Sequence, residues 1–396
     1  MNKERIYNFC AGPSNLPLEV IDEISHNLYS YRSSGMGIME ISHRGKLFED
    51  LILETESKIK SLYGLTDDYS VLFLTGGATN QFSMIPLNLI SDSIIKDPKI
   101  IAGYFESGHW ANLAFNEATK INPKHSEGIH LLASSKGNGY KNLPYFNSDL
   151  STVKTEDLKL LSYIHITTNN TVIGSQYQKL PTDILLENGV ELPDIVLDAS
   201  SDILSKPIDF NKQKISLLYA GAQKNLGIAG LTILIIKKEL LIEDQPHLPI
   251  LLNYKTHINA GSIYNTPPVF PIYVTNLMAK WVEKMGGLNY FKNHNQDKAN
   301  IIYNYLDGNS YYKPYVDKDS RSLMNITFNI NCDDGDKRSL LEEKFIKEAK
   351  RGGFFELKGH RIVGGIRASI YNAFPVEGIK KLVEFMDQFK SENPLQ

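Results

Sequence analysis

The chain is poor in cysteine, with only Cys10 and Cys332 among its 396 residues. Two distant cysteines are too few for a disulfide framework or a metal cluster, so we expect neither disulfides nor a bound metal. Each thiol is interpreted as buried and inert, which fits a protein of the reducing cytoplasm. The low cysteine content thus argues against the small, disulfide-rich secreted class.

Long apolar runs and excess charge are also missing. The longest run, residues 231–236, is far shorter than the ~20 residues that a membrane-spanning helix requires. Residues 1–5 mix charges and lead into no apolar signal core, so no signal peptide is expected. With a formal net charge of −3, the chain shows no electrostatic footprint for nucleic acid and no basic stretch for a membrane surface. The expected partners are therefore small molecules.

What the chain does contain is a series of short, continuous apolar runs with helical patterns between them. Continuous runs, rather than alternation, predict strands covered on both faces, as in the parallel sheet of an α/β fold. Residues 46–63 place Phe48, Ile52 and Ile59 near helical spacing on one face. The predicted strands cover residues 71–74, 100–104, 164–166, 195–197, 217–219 and 231–236.

The pattern changes after about residue 269. Amphipathic stretches at residues 272–285, 337–350 and 376–389 alternate with strand-like residues 323–328 and 367–370, which predicts a smaller α+β domain. Pro267 and Pro268 interrupt regular structure, so the boundary is placed beside them. We predict a large domain over residues 16–264 and a small domain made of residues 1–15 and 265–396.

Lys224 and Asp198 are the candidate catalytic residues. Lys224 lies in a turn of small residues after the run that ends at Tyr219, and Asp198 ends the preceding apolar run. Most lysines after a strand are solvated, and a strand-end aspartate is often a helix cap. Together, however, they are the pair that a pyridoxal-phosphate enzyme needs: the lysine bonds to the cofactor and the aspartate holds its ring nitrogen protonated.

Other strand ends carry compatible signals. Residues 75–81 form a glycine-rich turn entering a helix, where free N–H groups can hold a phosphate. Trp110 could stack on a flat ring, and the polar residues 167–171 could bind a phenolic oxygen or a phosphate. Taken singly, each is more often an ordinary turn or core residue. Because the ends of parallel strands meet at one edge of a sheet, the joint interpretation as one site is favoured.

Two His-Arg pairs and one further arginine suggest an anionic substrate. His43-Arg44 and His360-Arg361 each lie beside a glycine, and Arg367 follows Gly364-Gly365-Ile366. Arginine's planar fork suits carboxylates and phosphates. Any one of these arginines is more often part of a surface ion pair, but a small anion would account for several at once.

These residues together resemble the phosphoserine aminotransferases, a family of fold-type I pyridoxal-phosphate enzymes in the class-V aminotransferase group. The resemblance runs nearly end to end. The segments that carry it are Asn8-Phe9-Cys10-Ala11-Gly12-Pro13, Met39-Glu40-Ile41-Ser42-His43-Arg44-Gly45, Tyr219-Ala220-Gly221-Ala222-Gln223-Lys224-Asn225, Tyr264-Asn265-Thr266-Pro267-Pro268, Lys358-Gly359-His360-Arg361 and Arg367-Ala368-Ser369-Ile370-Tyr371-Asn372. It implies a large domain with a mostly parallel seven-stranded sheet, a smaller C-terminal domain and a cytoplasmic homodimer.

The resemblance also implies cofactor contacts. Lys224 would be the Schiff-base lysine and proton carrier, and Asp198 would pair with the pyridine nitrogen. Trp110 would stack on the ring, and Thr171 would contact the ring oxygen. The implied phosphate contacts are Ala78, Thr79, Ser200 and Gln223, with Asn265 and Thr266 from the other subunit.

On the substrate side, the resemblance assigns Arg367 to the α-carboxylate. His43 and Arg44 of the other subunit, with His360 and Arg361, would take the substrate phosphate or the distal carboxylate of glutamate. Some family members have an arginine where this chain has Thr79. The neighbouring cations are therefore expected to supply more of the charge on the substrate side.

The implied reaction is reversible amino transfer between glutamate and 3-phosphohydroxypyruvate, which gives O-phosphoserine and 2-oxoglutarate in serine biosynthesis. Use of 4-phosphohydroxythreonine in vitamin B6 biosynthesis stays open. Alternatives are a cysteine desulfurase, an alanine–glyoxylate aminotransferase or a non-catalytic scaffold. A desulfurase needs a mobile cysteine, and neither Cys10 nor Cys332 lies in a loop after Lys224.

Overall fold

The computed structural model describes residues 5–90, 95–121, 123–147, 151–241, 245 and 248–395. Its strands are β1 (Tyr7–Asn8), β2 (Tyr69–Leu74), β3 (Ala102–Glu106), β4 (Ile129–Ser134), β5 (Tyr163–Thr167), β6 (Asn169–Asn170), β7 (Ser175–Gln176), β8 (Asp194–Asp198), β9 (Ile215–Gly221), β10 (Thr232–Lys237), β11 (Tyr312–Pro314), β12 (Asn325–Ile330), β13 (Phe354–Phe355) and β14 (Ile366–Ser369). Its α-helices are α1 (Leu18–Asn27), α2 (Lys46–Tyr63), α3 (Gly77–Leu89), α4 (His109–Ile121), α5 (Pro181–Glu187), α6 (Tyr254–Asn259), α7 (Val269–Lys284), α8 (Gly287–Asp307), α9 (Gly335–Arg351) and α10 (Val376–Glu392).

A seven-stranded sheet forms the centre of the molecule, in the order β2-β10-β9-β8-β5-β3-β4. Strand β10 runs antiparallel to both of its neighbours, whereas the remaining pairs are parallel. The mostly parallel α/β fold predicted from the apolar runs is confirmed. Sequence reasoning missed the edge strand β4, whose burial is partial rather than continuous.

Both faces of this sheet are buried, which explains the continuous apolar runs. Along β8, Ile195 and Leu197 belong to one hydrophobic cluster, while Val196 belongs to the cluster on the opposite face. Along β9, Leu218 belongs to the first of these clusters and Tyr219 to the cluster on the opposite face. A strand covered on both faces needs apolar side chains at nearly every position.

Local sequence sets the C-terminal end of helix α2, which matches the predicted helix. Its buried face includes Phe48, Ile52 and Ile59. It ends at Gly64, which takes a left-handed conformation with φ of 62° and donates its N–H to the carbonyls of Lys60 and Ser61. Glycine adopts this conformation without the steric cost that a side chain imposes.

A second cluster lies in the C-terminal part of the chain. An antiparallel sheet in the order β11-β12-β14 packs there with helices α9 and α10, and β1 pairs in parallel with β13. Helix α7 packs instead on α2, within the cluster of the central sheet. Helix α8 was not anticipated, because its mean polarity hides its buried face. The division at residues 264 and 265 stays a prediction.

Three details of the sequence interpretation need correction. The strand expected at residues 323–328 is β12, which begins two residues later, at Asn325. The strand expected at residues 100–104 begins two residues later, because Ile100 lies in an isolated bridge before β3. Cys10 and Cys332 are unpaired, and both are half-buried rather than buried. Among the described residues, no helix has the length and apolarity that crossing a bilayer demands.

Candidate active site

Lys224 lies in the turn after β9, and the N-terminal segment binds the backbone of this turn. The Ser14 hydroxyl donates to the Lys224 carbonyl at 2.5 Å, and the Ser14 N–H donates to the Gln223 carbonyl at 2.9 Å. A Cβ added to Gly12, whose φ is +140°, would lie 3.3 Å from the Lys224 Cγ. Glycine therefore allows the backbone to approach the lysine stem closely. The Lys224 Nζ donates to the Thr171 Oγ1 at 2.8 Å.

The environment makes Lys224 a weaker base than a free lysine. Burial, the largest cause, and the nearby positive charge of Arg367 together lower the pKa of its amine to about 8. The Asp198 carboxylate acts in the opposite direction. A lysine with a lowered pKa has more of the neutral, nucleophilic form near neutral pH, which suits bond formation with a carbonyl group.

Asp198 is a buried carboxylate at the end of β8, with 4% of its surface exposed. Its Oδ1 accepts from the Ser200 N–H at 3.0 Å and from the Ser200 hydroxyl at 2.6 Å. Burial raises the pKa of Asp198, whereas the Ser200 hydrogen bonds and the Lys224 charge lower it. A buried carboxylate beside a cation is suited to pair with a protonated ring nitrogen. The Ser200 hydroxyl, a candidate phosphate contact, is engaged with Asp198.

The glycine-rich turn leads into helix α3 at the same sheet edge. Gly76 and Gly77 both have positive φ, and Gly77 begins the helix. No side chain caps this end and its first turn holds no acidic residue. Thr79 is exposed and Ala78 is half-buried. The free N–H groups and the positive end of the helix dipole fit a phosphate group.

Trp110 lies in the first turn of α4, half-buried between two hydrophobic clusters. One of these clusters contains Val172, which directly follows Thr171. A Cβ on Gly108 would come within 2.3 Å of the Asn170 Oδ1, so the α4 start and the loop after β5 are in close contact. The indole therefore lies beside the loop that carries Thr171.

Arg367, on β14, brings a cation to this loop. Its Nη1 donates to the Thr171 carbonyl at 3.2 Å, and its buried Nε has no hydrogen-bond partner among the described residues. Burial also lowers the pKa of this guanidinium. A buried N–H donor without a partner lowers the stability of the fold unless a ligand accepts its hydrogen bond. The half-buried Arg367 is therefore a candidate carboxylate site beside Lys224.

His360 and Arg361 extend this positive region toward α4. The rings of His360 and His109 lie 5.9 Å apart. Burial lowers the pKa of both histidines, and the Arg361 charge lowers each of them further. Sequence reasoning did not single out His109, although it stands directly before Trp110.

Four candidate residues make no hydrogen bond or ion pair with Lys224 among the described residues of one chain. No hydrogen bond or ion pair joins His43 or Arg44 to the Lys224 group within the described part of the chain. Asn265 and Thr266 are exposed. Asn265 lines a cavity of about 230 Å³ with Thr75 and Gly76, on the flank of the glycine-rich turn.

Sequence reasoning also missed a residue that supports the site. Ser14 was not assigned a role, because its partner Lys224 lies 210 residues away along the chain. A larger cavity of about 450 Å³, lined by Asp202 and Lys206 among others, does not include Lys224 in its lining. The described residues contain no group of three or more His, Cys, Asp or Glu arranged to hold a metal ion.

A mostly parallel α/β sheet with a lysine and an aspartate at neighbouring strand ends, beside a phosphate-type helix start, is the arrangement of a fold-type I pyridoxal-phosphate-dependent enzyme. The profile of aminotransferase class-V matches residues 6–382, and the chain belongs to this family.

Within this family, the chain is similar to several proteins named phosphoserine aminotransferase. The chain is 43% identical over 390 residues to the phosphoserine aminotransferase of Bacillus cereus, covering 98% of this chain and 99% of that protein. The solved phosphoserine aminotransferase of Bacillus circulans subsp. alkalophilus has a TM-score of 0.87 and 40% identity, covering 98% of this chain and 99% of that one. The pyridoxal-phosphate-bound phosphoserine aminotransferase of Trichomonas vaginalis has a TM-score of 0.84 and 32% identity, covering 97% and 100%.

Proposed function

We propose that this enzyme is a phosphoserine aminotransferase, which moves an amino group between glutamate and 3-phosphohydroxypyruvate to give O-phospho-L-serine and 2-oxoglutarate. The observation that carries the proposal is the set of anion-binding donors near Lys224: Arg367, with its unpartnered buried Nε, and the neighbouring Arg361 and His360, whose lowered pKa leaves it a ring N–H donor. Both amino donors have a carboxylate on the α-carbon and a second anionic group. Relatives of that name at 43% identity support the same substrates.

Pyridoxal phosphate, when bound, supplies an electron sink for the substrate's α-carbon. We infer that Asp198 holds the ring nitrogen protonated and that Trp110 stacks on the ring. Thr171 would bind the ring oxygen. The start of α3, with Ala78 and Thr79, would hold the phosphate, and Gln223 and Ser200 would contribute beside it. The buried carboxylate, the half-buried indole and the free N–H groups are the observations that support these roles.

Lys224 would bond to the cofactor and, once displaced by substrate, carry the proton from the substrate's α-carbon. Its pKa of about 8 places the released amine near the balance point between base and acid at neutral pH. A general base and acid of this kind can both accept and return a proton within one reaction cycle.

Arg367 would bind the α-carboxylate that every amino donor shares, and thereby orient the Cα–H bond toward Lys224. His360 and Arg361 would bind the second anion, either phosphate or distal carboxylate. Thr79 adds no charge here, so the discrimination between phosphate and carboxylate would depend on these cations and on His43 and Arg44 from a second subunit.

A homodimer with shared sites is part of the proposal. His43, Arg44, Asn265 and Thr266 make no hydrogen bond or ion pair with Lys224 among the described residues of one chain, and Tyr264, next to Asn265, is 46% exposed. A second copy could cover this surface and bring those side chains to the neighbouring site. A cytoplasmic location is also proposed, since a reducing compartment keeps both unpaired cysteines as thiols.

A steady-state comparison of amino donors tests the function. Phosphoserine, 4-phosphohydroxythreonine, glutamate and alanine would each be supplied, with 2-oxoglutarate as acceptor for every donor except glutamate, which is paired with 3-phosphohydroxypyruvate. We expect the highest kcat/KM with phosphoserine and at least a hundredfold lower value with alanine, roughly the worth of two charge-assisted hydrogen bonds. A similar value for alanine would refute a phosphate-selective site. The kcat/KM measured with 4-phosphohydroxythreonine decides whether a role in vitamin B6 biosynthesis is supported.

A further inference from the structure

Lys298, on helix α8, is a lysine with 0% of its surface exposed. Its Nζ donates to three consecutive backbone carbonyls, those of Ile370 at 2.9 Å, Tyr371 at 2.6 Å and Asn372 at 3.4 Å. No ion pair joins it to a carboxylate within the described part of the chain. Burying an amine is costly unless polar partners surround it, so these carbonyls are what stabilises Lys298 in this position.

The two shorter hydrogen bonds do not depend on the charge of the amine. Burial lowers the pKa of Lys298 to about 7. A protonated amine has three N–H donors and a neutral amine has two, so both forms can donate to the carbonyls of Ile370 and Tyr371. The contact therefore fixes residues 370–372 on both sides of neutral pH.

Residues 370–372 join the strand of Arg367 to the turn of Lys224. They directly follow β14, which carries Arg367. The Asn372 N–H donates to the Asn225 Oδ1 at 3.0 Å, and Asn225 is the residue after Lys224. One short segment thus links the candidate carboxylate site to the candidate catalytic lysine.

The same segment is also bound to the loop after β8, which begins at Asp198. The Asn372 Nδ2 donates to the Leu204 carbonyl at 2.8 Å. The Asn225 Nδ2 donates to the Ile203 carbonyl in this loop at 2.9 Å. Both asparagines are buried, where a hydrogen bond without competing water holds its partners more firmly.

Helix α8 supplies a second contact to this segment. Asn295 precedes Lys298 by three residues, so the two side chains lie on the same face of the helix. The Asn295 Nδ2 donates to the Asn372 Oδ1 at 2.8 Å. Helix α8 therefore binds both the backbone and a side chain of residues 370–372.

We propose that Lys298 is a positioning residue that fixes residues 370–372 and thereby sets the place of Arg367 relative to Lys224. The inference rests on the proposed role of Arg367 as the site of the substrate's α-carboxylate. Without the Lys298 amine, buried carbonyls lose their donor, and the segment must shift to find another. A shift of ~1 Å in an orienting group can lower an enzyme's rate by about a hundredfold.

A double-mutant cycle tests whether Lys298 acts through Arg367. The kcat/KM values for phosphoserine and glutamate would be measured in the parent holoenzyme, in Lys298→Met, in Arg367→Gln and in the double variant. Lys298→Arg keeps N–H donors at the position. Met386→Ala is the control for lost stability, because it opens a cavity in the hydrophobic cluster that contains Ile370 without removing a side-chain hydrogen bond.

We expect Lys298→Met to lower kcat/KM about tenfold for both donors, and Lys298→Arg to restore most of this loss. Met386→Ala should lower the urea midpoint of unfolding and leave kcat/KM unchanged. In the Arg367→Gln background, Lys298→Met should lower kcat/KM less than about twofold, because no guanidinium is left to position. An equal factor in both backgrounds would overturn the proposal. If Lys298→Met does not fold, Lys298→Gln, which keeps two N–H donors on a shorter side chain, replaces it in the cycle under the same criterion.

A binding measurement adds a readout without turnover. Holoenzyme would be titrated calorimetrically with 2-oxoglutarate in the absence of an amino donor. The dissociation constant should rise about tenfold in Lys298→Met and stay unchanged in Met386→Ala. Arg367→Gln separates this proposal from the proposed function: if it leaves both kcat/KM and the dissociation constant unchanged, the role of Arg367 fails. If Arg367→Gln weakens binding and Lys298→Met does not, only the positioning role of Lys298 fails.

Discussion

Replacing Arg367 separates two effects that this side chain has on the site. Its guanidinium donates to the Thr171 carbonyl and carries an unpartnered buried Nε, so it has donors left for a substrate carboxylate. Its charge also lowers the pKa of Lys224. Arg367→Lys keeps the charge and removes the planar fork, whereas Arg367→Gln removes both.

The expected loss of activity follows from the hydrogen bonds to the carboxylate. Two charge-assisted hydrogen bonds at ~1.5 kcal/mol each make about 3 kcal/mol, which corresponds to roughly a hundredfold lower kcat/KM. Because every amino donor has the α-carboxylate, kcat/KM for phosphoserine and kcat/KM for glutamate should fall by the same factor within each variant. Loss of a contact to the substrate phosphate would instead affect phosphoserine alone.

The effect on Lys224 needs a second assay. The rate at which the apoprotein captures pyridoxal phosphate would be measured against pH, since only the neutral amine attacks the cofactor. The midpoint, expected near the Lys224 pKa of about 8, should move upward in Arg367→Gln and stay in place in Arg367→Lys. Arg351→Gln, an exposed arginine on α9, serves as the control. An unchanged midpoint in Arg367→Gln, or a loss confined to one substrate, would refute the reasoning.

Three further outcomes are expected. Lys224→Ala should abolish turnover with both natural donors while the circular dichroism spectrum of the fold is retained; substantial turnover would contradict the assignment. In the parent apoprotein, the rate of cofactor capture should fall about tenfold for each pH unit below about 8, because the Lys224 amine is mostly protonated below its lowered pKa. A rate that does not change with pH would contradict the role of Lys224 as the attacking amine. Leu218→Ala, at a fully buried position in β9, should lower the free energy of unfolding by ~2–5 kcal/mol in a urea titration, whereas the exposed Leu53→Ala should change it by less than ~1 kcal/mol; equal effects would contradict the burial argument.

Much of the fold was predictable because its signals are local. The six apolar runs identified six strands of the central sheet, and the spacing of Phe48, Ile52 and Ile59 identified α2. Strand β4 and helix α8 were missed because their burial is partial and their apolar pattern is diluted by polar residues. The reversal of β10 was not predicted either, since an apolar run carries no information about strand direction.

The sequence alone determined which residue types the site could use. A lysine and an aspartate at the ends of successive apolar runs, a glycine-rich turn and two His-Arg pairs are visible without any coordinates, because each is a short pattern. Only the tertiary structure decided which of them meet. Arg367 reaches Thr171 across 196 residues, and Ser14 holds Lys224 across 210. These contacts depend on strand order and side-chain direction in a sheet that must bury both faces, and no local pattern encodes them.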